Sequence, residues 1–365
     1  MGSGGVALSA TPAFRATAAP RFVRAGGAYL NLAPRLELPT RGVVTAVTWS
    51  PDGSALAAAS WYGEDLTVWS RSGSVVSKFK RIGGGPYPES YLAFVNGSSE
   101  LLFPPPETPD NSTCLDVWSV GTGEVTRAIV GPAPDSNNYA QNRARYFVVS
   151  PDQKIAAAAP GVGGLVGIYE TKNWKVERTI KIDYGVASIG LFPDKSRVAV
   201  GALTRGHFLI ADGASGAITA DFGPYEVKFL DISFRSIAVS PDGEFIATGI
   251  GVTVIPGEYV HSPEAARWDK LVKPSLSIWR VEDGSFVAGL QEARSPIQHI
   301  AWDPKNRFVA CIDDSSTLFI WESPSSRSAV SRIPLEESSM CLSVNPQGDR
   351  LAVGDGPRVR VYEIS

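Results

Sequence analysis

Histidine and cysteine are scarce: the 365 residues hold three of each, His207, His261 and His299, and Cys114, Cys311 and Cys341. Imidazole is the commonest nitrogen ligand of zinc and non-haem iron, so three scattered histidines argue against a catalytic metal centre, and neither metal nor cofactor is expected. Three cysteines far apart in apolar sequence give no disulfide framework and read as small buried hydrophobes in a reducing compartment. Positive charge is lacking too. With a formal net charge of −3, the chain has no basic field of the kind that nucleic-acid binding requires. No run approaches the ~18 apolar residues of a membrane span, and helical periodicity is nearly absent.

The charge is unevenly spread. Residues 1–42 carry Arg15, Arg21, Arg24, Arg35 and Arg41 against Glu37 alone. This Ala-, Arg- and Ser/Thr-rich opening has the composition of an organelle transit peptide, while a flexible lead-in around Met1-Gly-Ser-Gly-Gly is the plainer reading. Residues 1–27 are therefore set apart as a tail and the protein is expected to be cytoplasmic, with organelle import as the alternative. The sequons at Asn96 and Asn111 would matter only in a secreted protein. A hydrophobic content of 44% supplies enough apolar mass for a sizeable core.

What is present is a repeat. An alternating apolar strand, a tight turn, a second apolar strand, a loop and a strand ending in an aromatic recur seven times. The first copy runs from Val43 to Ser50, turns at Pro51-Asp52-Gly53, continues through Leu56 to Ser60 and resumes at Leu66-Thr67-Val68-Trp69. Later turns fall at Asn96-Gly97, Pro151-Asp152, Pro193-Asp194, Pro241-Asp242-Gly243, Pro304-Lys305-Asn306 and Pro346-Gln347-Gly348. Pro presets φ for the first turn position and Gly or Asn tolerates positive φ, so each tetrad reverses a strand with little strain. Successive turns lie about 42 to 63 residues apart, close to or above the ~40–45 residues of a four-stranded propeller blade. The fold class predicted is all-β, a seven-bladed β-propeller of four-stranded antiparallel blades over residues 28–365. The last copy ends after three strands, so a segment within residues 28–39, Arg35 to Leu38 or the longer Tyr29 to Leu38, is expected to close the ring and cover its exposed edge.

The Ser-Pro-Asp-Gly turns and the aromatics closing the third strands, Trp69, Trp118, Tyr169, Trp279, Trp321 and Tyr362, resemble WD-repeat propellers. Segments 166–180 and 186–200 look as much like bacterial surface-layer and TolB-type propeller repeats. No Trp-Asp dipeptide closes a blade, and the single Gly-His pair, Gly206-His207, stands between second and third strands rather than before a first strand. The Asp–His–Ser/Thr–Trp hydrogen-bond network that the resemblance implies is thus largely missing, and apolar packing is expected to replace it.

The resemblance implies a non-catalytic scaffold, monomeric on its own, that binds a protein partner. A small-ligand or carbohydrate-binding propeller and a propeller hydrolase or lactonase are the alternatives. A dry apolar channel favours the scaffold, whereas a pocket with convergent polar groups favours the others. Near the axis only Glu89, Arg143, Asp231 and His299 are polar candidates, and they supply no set of three convergent ligands. His299 alternates with apolar residues, as a hydrogen-bonded strand histidine would. Gly83-Gly84-Gly85 and Gly161-Val162-Gly163-Gly164 have no following helix to hold phosphate, and Pro104-Pro105-Pro106-Glu107 reads as a stiff loop.

The extra residues fall on one face. In the family, second-to-third-strand and blade-to-blade connections share the top face, and the insertions 83–90, 104–113, 131–142, 223–232 and 252–275 all belong to it. The largest carries Tyr259, His261, Arg267, Trp268 and Lys270, with a short helix expected from Ser262 and Pro263. Trp61, Tyr62, Tyr87, Tyr139 and Tyr225 lie in related connections. Aromatics and arginine most often anchor interfaces, so these ten residues are the candidate partner-binding set.

Overall fold

The computed structural model describes residues 23–25, 28–60, 65–80, 91–104, 113–132, 144–160, 163–223, 231–253, 275–290, 292–293, 295–322, 331–336 and 338–365. Seven four-stranded antiparallel sheets carry all of the repeat. In chain order, blades 1 to 6 span 44–80, 93–130, 146–181, 186–222, 231–290 and 297–334. Blade 7 takes three strands from 342–364 and its outermost from Leu32–Pro39, in which Leu36 faces Val361 and Leu38 faces Val359. Ala28–Leu30 pairs with Val23–Ala25 in a separate hairpin, so closure falls to the strand after it. Asn31 and Ser365 exchange both backbone bonds at 2.8 and 3.1 Å. No α-helix occurs among the described residues.

The core is divided among the joints between blades. Buried apolar residues form seven clusters, and each spans two neighbouring blades. The period-2 alternation of a strand explains this. In Ala55–Ser60, Leu56 and Ala58 face the joint with blade 7, while Ala55, Ala57 and Ala59 face blade 2. Ala156 to Ala159 divide themselves in the same way between blades 2 and 4. Alanine on both faces of these second strands lets adjacent sheets close up, and the large side chains lie farther out, where Trp69 is 2% and Trp321 0% exposed. Each such fully buried large side chain contributes about 1.5–3 kcal/mol by leaving water.

The turn between first and second strands shows why Ser-Pro-Asp-Gly recurs. Ser50 Oγ donates to Asp52 Oδ1 at 2.6 Å and accepts the Ala55 amide at 2.9 Å, while Gly53 takes φ 69°. Ser150 and Ser240 repeat the arrangement. In five blades a β-bulge precedes the residue near the end of the third strand, and the facing residue of the fourth strand is an exposed apolar one, as in Val75 opposite Trp69 and Phe286 opposite Trp279.

Two expectations change. The segment 223–232, read as a loop, ends inside blade 5, and the segment 252–275 begins inside it, because Asp231–Val239 and Phe245–Thr253 pair as far as Asp231 opposite Thr253. One bond of the absent family network is present: Trp279 Nε1 donates to Thr248 Oγ1 at 2.8 Å, across the second and third strands of blade 5.

Candidate functional site

The seven innermost strands run from the end that bears the long connections to the end that bears the Ser-Pro-Asp-Gly turns, and they enclose a central channel with a cavity of about 350 Å³. Regular alternation would turn only one set of side chains toward the axis. Bulges near the start of these strands in blades 1, 4, 5 and 6 insert one extra residue, and in three of them that residue, Thr45, Arg235 or Gln298, lines the cavity. A bulge re-aims a side chain in this way.

The channel wall is mixed. Tyr91, Tyr146 and Trp302 supply aromatic surface, and Thr48, Ser343 and His299 supply polar groups. Tyr91 meets Tyr146 edge-on at 5.5 Å and stands 6.3 Å from the His299 ring. Burial pushes His299 down to about 4, while a hydrogen bond to the Leu342 backbone acts the other way, so the imidazole is neutral at pH 7. Its Nδ1 is shut off from solvent and has no hydrogen-bond partner among the described residues. His299 is thus the hydrogen-bonded strand histidine expected from the sequence in part only, with Nδ1 left over. Gln298 donates through Nε2 to Asp314, whose carboxyl is raised by burial and held down in part by Arg235.

Two polar groupings lie away from the channel. His207 Nδ1 is 2.7 Å from Asp221 Oδ1, its ring stacks on Tyr184 at 4.6 Å, and Nε2 is 3.5 Å from the Tyr184 hydroxyl. Both ring nitrogens are thus engaged, and the grouping clamps the connections of blade 4. Asp313 Oδ1 accepts the Ser315 and Thr317 amides at 3.1 and 3.0 Å, which commits it to its own turn. No cluster of three metal-ligating side chains occurs among the described residues.

The Ser-Pro-Asp-Gly end is laced across the joints. Ser98 Oγ donates to Asp52 at 3.0 Å, Gln153 Nε2 to the Phe94 carbonyl at 3.0 Å, and Lys195 Nζ lies 2.6 Å from Asp152. Asn306 donates to Asp242, Arg307 to the Gly348 carbonyl, and Gln347 Nε2 to the Asp52 carbonyl at 2.8 Å. Between blades 4 and 5, Gly243 sits beside the Pro193 ring instead.

A profile of the WD-repeat family, described as WD domain, G-beta repeat, matches residues 34–70. That stretch is the closing strand followed by the first three strands of blade 1, one outer strand of a blade joined to three of the next. The chain is a WD-repeat-like seven-bladed propeller. No curated protein matches it. Propellers of the WD-repeat kind generally bind protein partners and are usually non-enzymatic, and no helix among the described residues is long and apolar enough to cross a membrane.

Of the sequence candidates, Tyr259, His261, Arg267, Trp268, Lys270, Trp61, Tyr62, Tyr87, Tyr139 and Tyr225 all lie outside the described residues, as do Glu89 and Arg143. Asp231 pairs by its backbone within blade 5. Arg235, Gln298 and Tyr91 were not singled out by sequence. The adjacent polar pair Gln298-His299 was the available signal, because it breaks the alternation of its strand.

Proposed function

We propose that this WD-repeat-like propeller is a non-catalytic scaffold that holds a protein partner on its top face, where the connections between second and third strands and between blades emerge. The observation that carries the reading is the difference between the two ends. At the Ser-Pro-Asp-Gly end the polar side chains are spent on the neighbouring blades, as with Gln153, Lys195, Asn306 and Gln347. The top carries the long connections, among them Lys80 to Ala93, Val130 to Tyr146 and Thr253 to Leu276. Loops set on a rigid scaffold are where binding residues collect. The partner anchors in this reading are Arg267 and Trp268, with Tyr259 beside them in the chain.

Cys114, Cys311 and Cys341 are buried free thiols, and burial pushes Cys114 and Cys341 up to about 12. This supports a reducing, cytoplasmic setting and a protein without disulfide-linked assembly. The test is replacement of residues 254–273 by a Gly-Ser link, together with Trp268→Ala and Arg267→Ala. The fold should survive, since long surface loops are thermodynamically tolerated, and a hot spot should lose about 1–3 kcal/mol of partner affinity. A lower Tm with partner affinity unchanged would refute the assignment.

A further inference from the structure

The central channel has the features of a site in its own right. Its cavity of about 350 Å³ lies at the lower end of the ~300–1,000 Å³ usual for small-molecule pockets, and such pockets combine apolar walls with a few placed polar groups. The walls here are Tyr91, Tyr146 and Trp302; the polar groups include Thr45, Thr48 and His299.

These groups specify what they would accept. His299 Nδ1 is shielded from solvent and unpartnered among the described residues, and in the neutral ring it accepts or donates according to the tautomer. A hydroxyl, which does both, satisfies it in either form. Thr45 Oγ1 and Thr48 Oγ1 reach carbonyls only at 3.5 and 3.4 Å, long for hydroxyl donors, so both can turn toward a better acceptor. Gln298 donates one amide hydrogen to Asp314, and its carbonyl oxygen is a further acceptor. Arg235 and Asp314 interact as opposite charges, so neither faces the cavity alone. Donors and acceptors together, without net charge and between aromatic faces, fit a ring that carries several hydroxyls.

We propose that the channel is a binding site separate from the top-face connections, and that it takes one neutral polyhydroxylated ring of monosaccharide size. His299 Nδ1 bonds one hydroxyl, the threonines bond others, and the Tyr91 and Trp302 rings cover the C–H face.

The test is saturation-transfer NMR with D-glucose, D-galactose, D-mannose, myo-inositol and, as the anionic control, D-glucuronate, read beside the imidazole ¹⁵N spectrum of the protein. With three histidines in the chain, His299→Phe assigns the His299 signals. The proposal predicts transfer to the ring protons of at least one neutral probe, a moved His299 Nδ1 resonance, and affinity lower by about tenfold in His299→Phe. Thr48→Val should weaken binding less. Should His299→Phe fail to fold, the Nδ1 shift of the wild-type protein and Thr48→Val still decide the matter. Replacement of residues 254–273 should leave sugar binding intact, which distinguishes this site from the partner surface. An unmoved Nδ1 signal with no transfer from any neutral probe means that water alone fills the channel and overturns the proposal. Binding of D-glucuronate alone, or loss of binding with the loop, overturns it equally.

Discussion

Arg71 Nη2 lies 2.5 Å from Asp349 Oδ2, across the joint at which the first blade meets the last. Around this pair, Arg350 donates to the Arg71 carbonyl at 2.5 Å and Trp49 Nε1 to the Ser343 carbonyl at 3.2 Å. The ring is thus fastened at its seam by polar bonds as well as by the closing strand. Both partners of the ion pair are about a third to two-fifths exposed, so solvent screening limits its worth. A double-mutant cycle of Arg71→Ala and Asp349→Ala should give a coupling of about 0.5–1 kcal/mol. It should shrink in 1 M salt.

Removal of the closing strand should do far more. Deletion of residues 1–40 takes away Leu32–Pro39 and bares the edge of Arg358–Ile364. It also removes Glu37, which lies 3.5 Å from Arg360. The truncated protein should aggregate or melt far lower. Deletion of residues 1–22, which precede the closing strand in the chain, should leave the melting temperature close to that of the full chain. Unchanged melting in the longer deletion would refute strand closure.

The single family-like bond in blade 5 can be weighed directly. Thr248 is fully buried and accepts from Trp279 Nε1. Thr248→Val keeps the shape and leaves the indole N–H unpaired, at a cost of about 1–2 kcal/mol. Thr248→Ser, which keeps the acceptor, should lose less in denaturant titration.

Acid should loosen the turn end of the ring. The Lys195 side chain, with Ser150, holds Asp152 down to about 2 from its usual 3.8, and Asp52 is lowered further, chiefly by Ser50. A depressed carboxyl gives stability that is fully present above its unfolded pKa and is lost as pH falls through the folded one. Melting temperature should therefore fall between about pH 4 and pH 2. Asp152→Asn should lower it at pH 7 and flatten that decline. A decline identical to that of the wild type would show that the Asp152–Lys195 pair plays no part in it.

Seven blades, their turns and the need for closure could be read from the sequence, because alternation and Pro-Asp-Gly tetrads are local signals. The lacing between turns could not, although it left a trace. Gln153, Lys195 and Asn306 occupy turn positions with φ of 58°, 61° and 59°, where glycine is the unstrained choice. A polar side chain tolerates that conformation at a cost of about 1–2 kcal/mol, and each of the three is bonded to the preceding blade. Polar groups of the channel beyond the four named near the axis were missed for a related reason. Bulges at Thr45, Arg235 and Gln298 shift the alternation by one residue, and a one-residue shift exchanges inward for outward faces.

The measurement that bears most directly on the scaffold reading is lysine crosslinking and mass spectrometry of the full-length propeller with its captured partner. Lys270 and Lys273 lie in the largest top-face insertion, whereas Lys154 and Lys195 belong to turns at the opposite end. The scaffold reading predicts partner crosslinks at Lys270 and Lys273, loss of partner capture when residues 254–273 are replaced, and Lys154 and Lys195 unlabelled by the partner. Partner crosslinks concentrated at Lys154 and Lys195, and unaffected by that replacement, would place the interface on the laced face and contradict it.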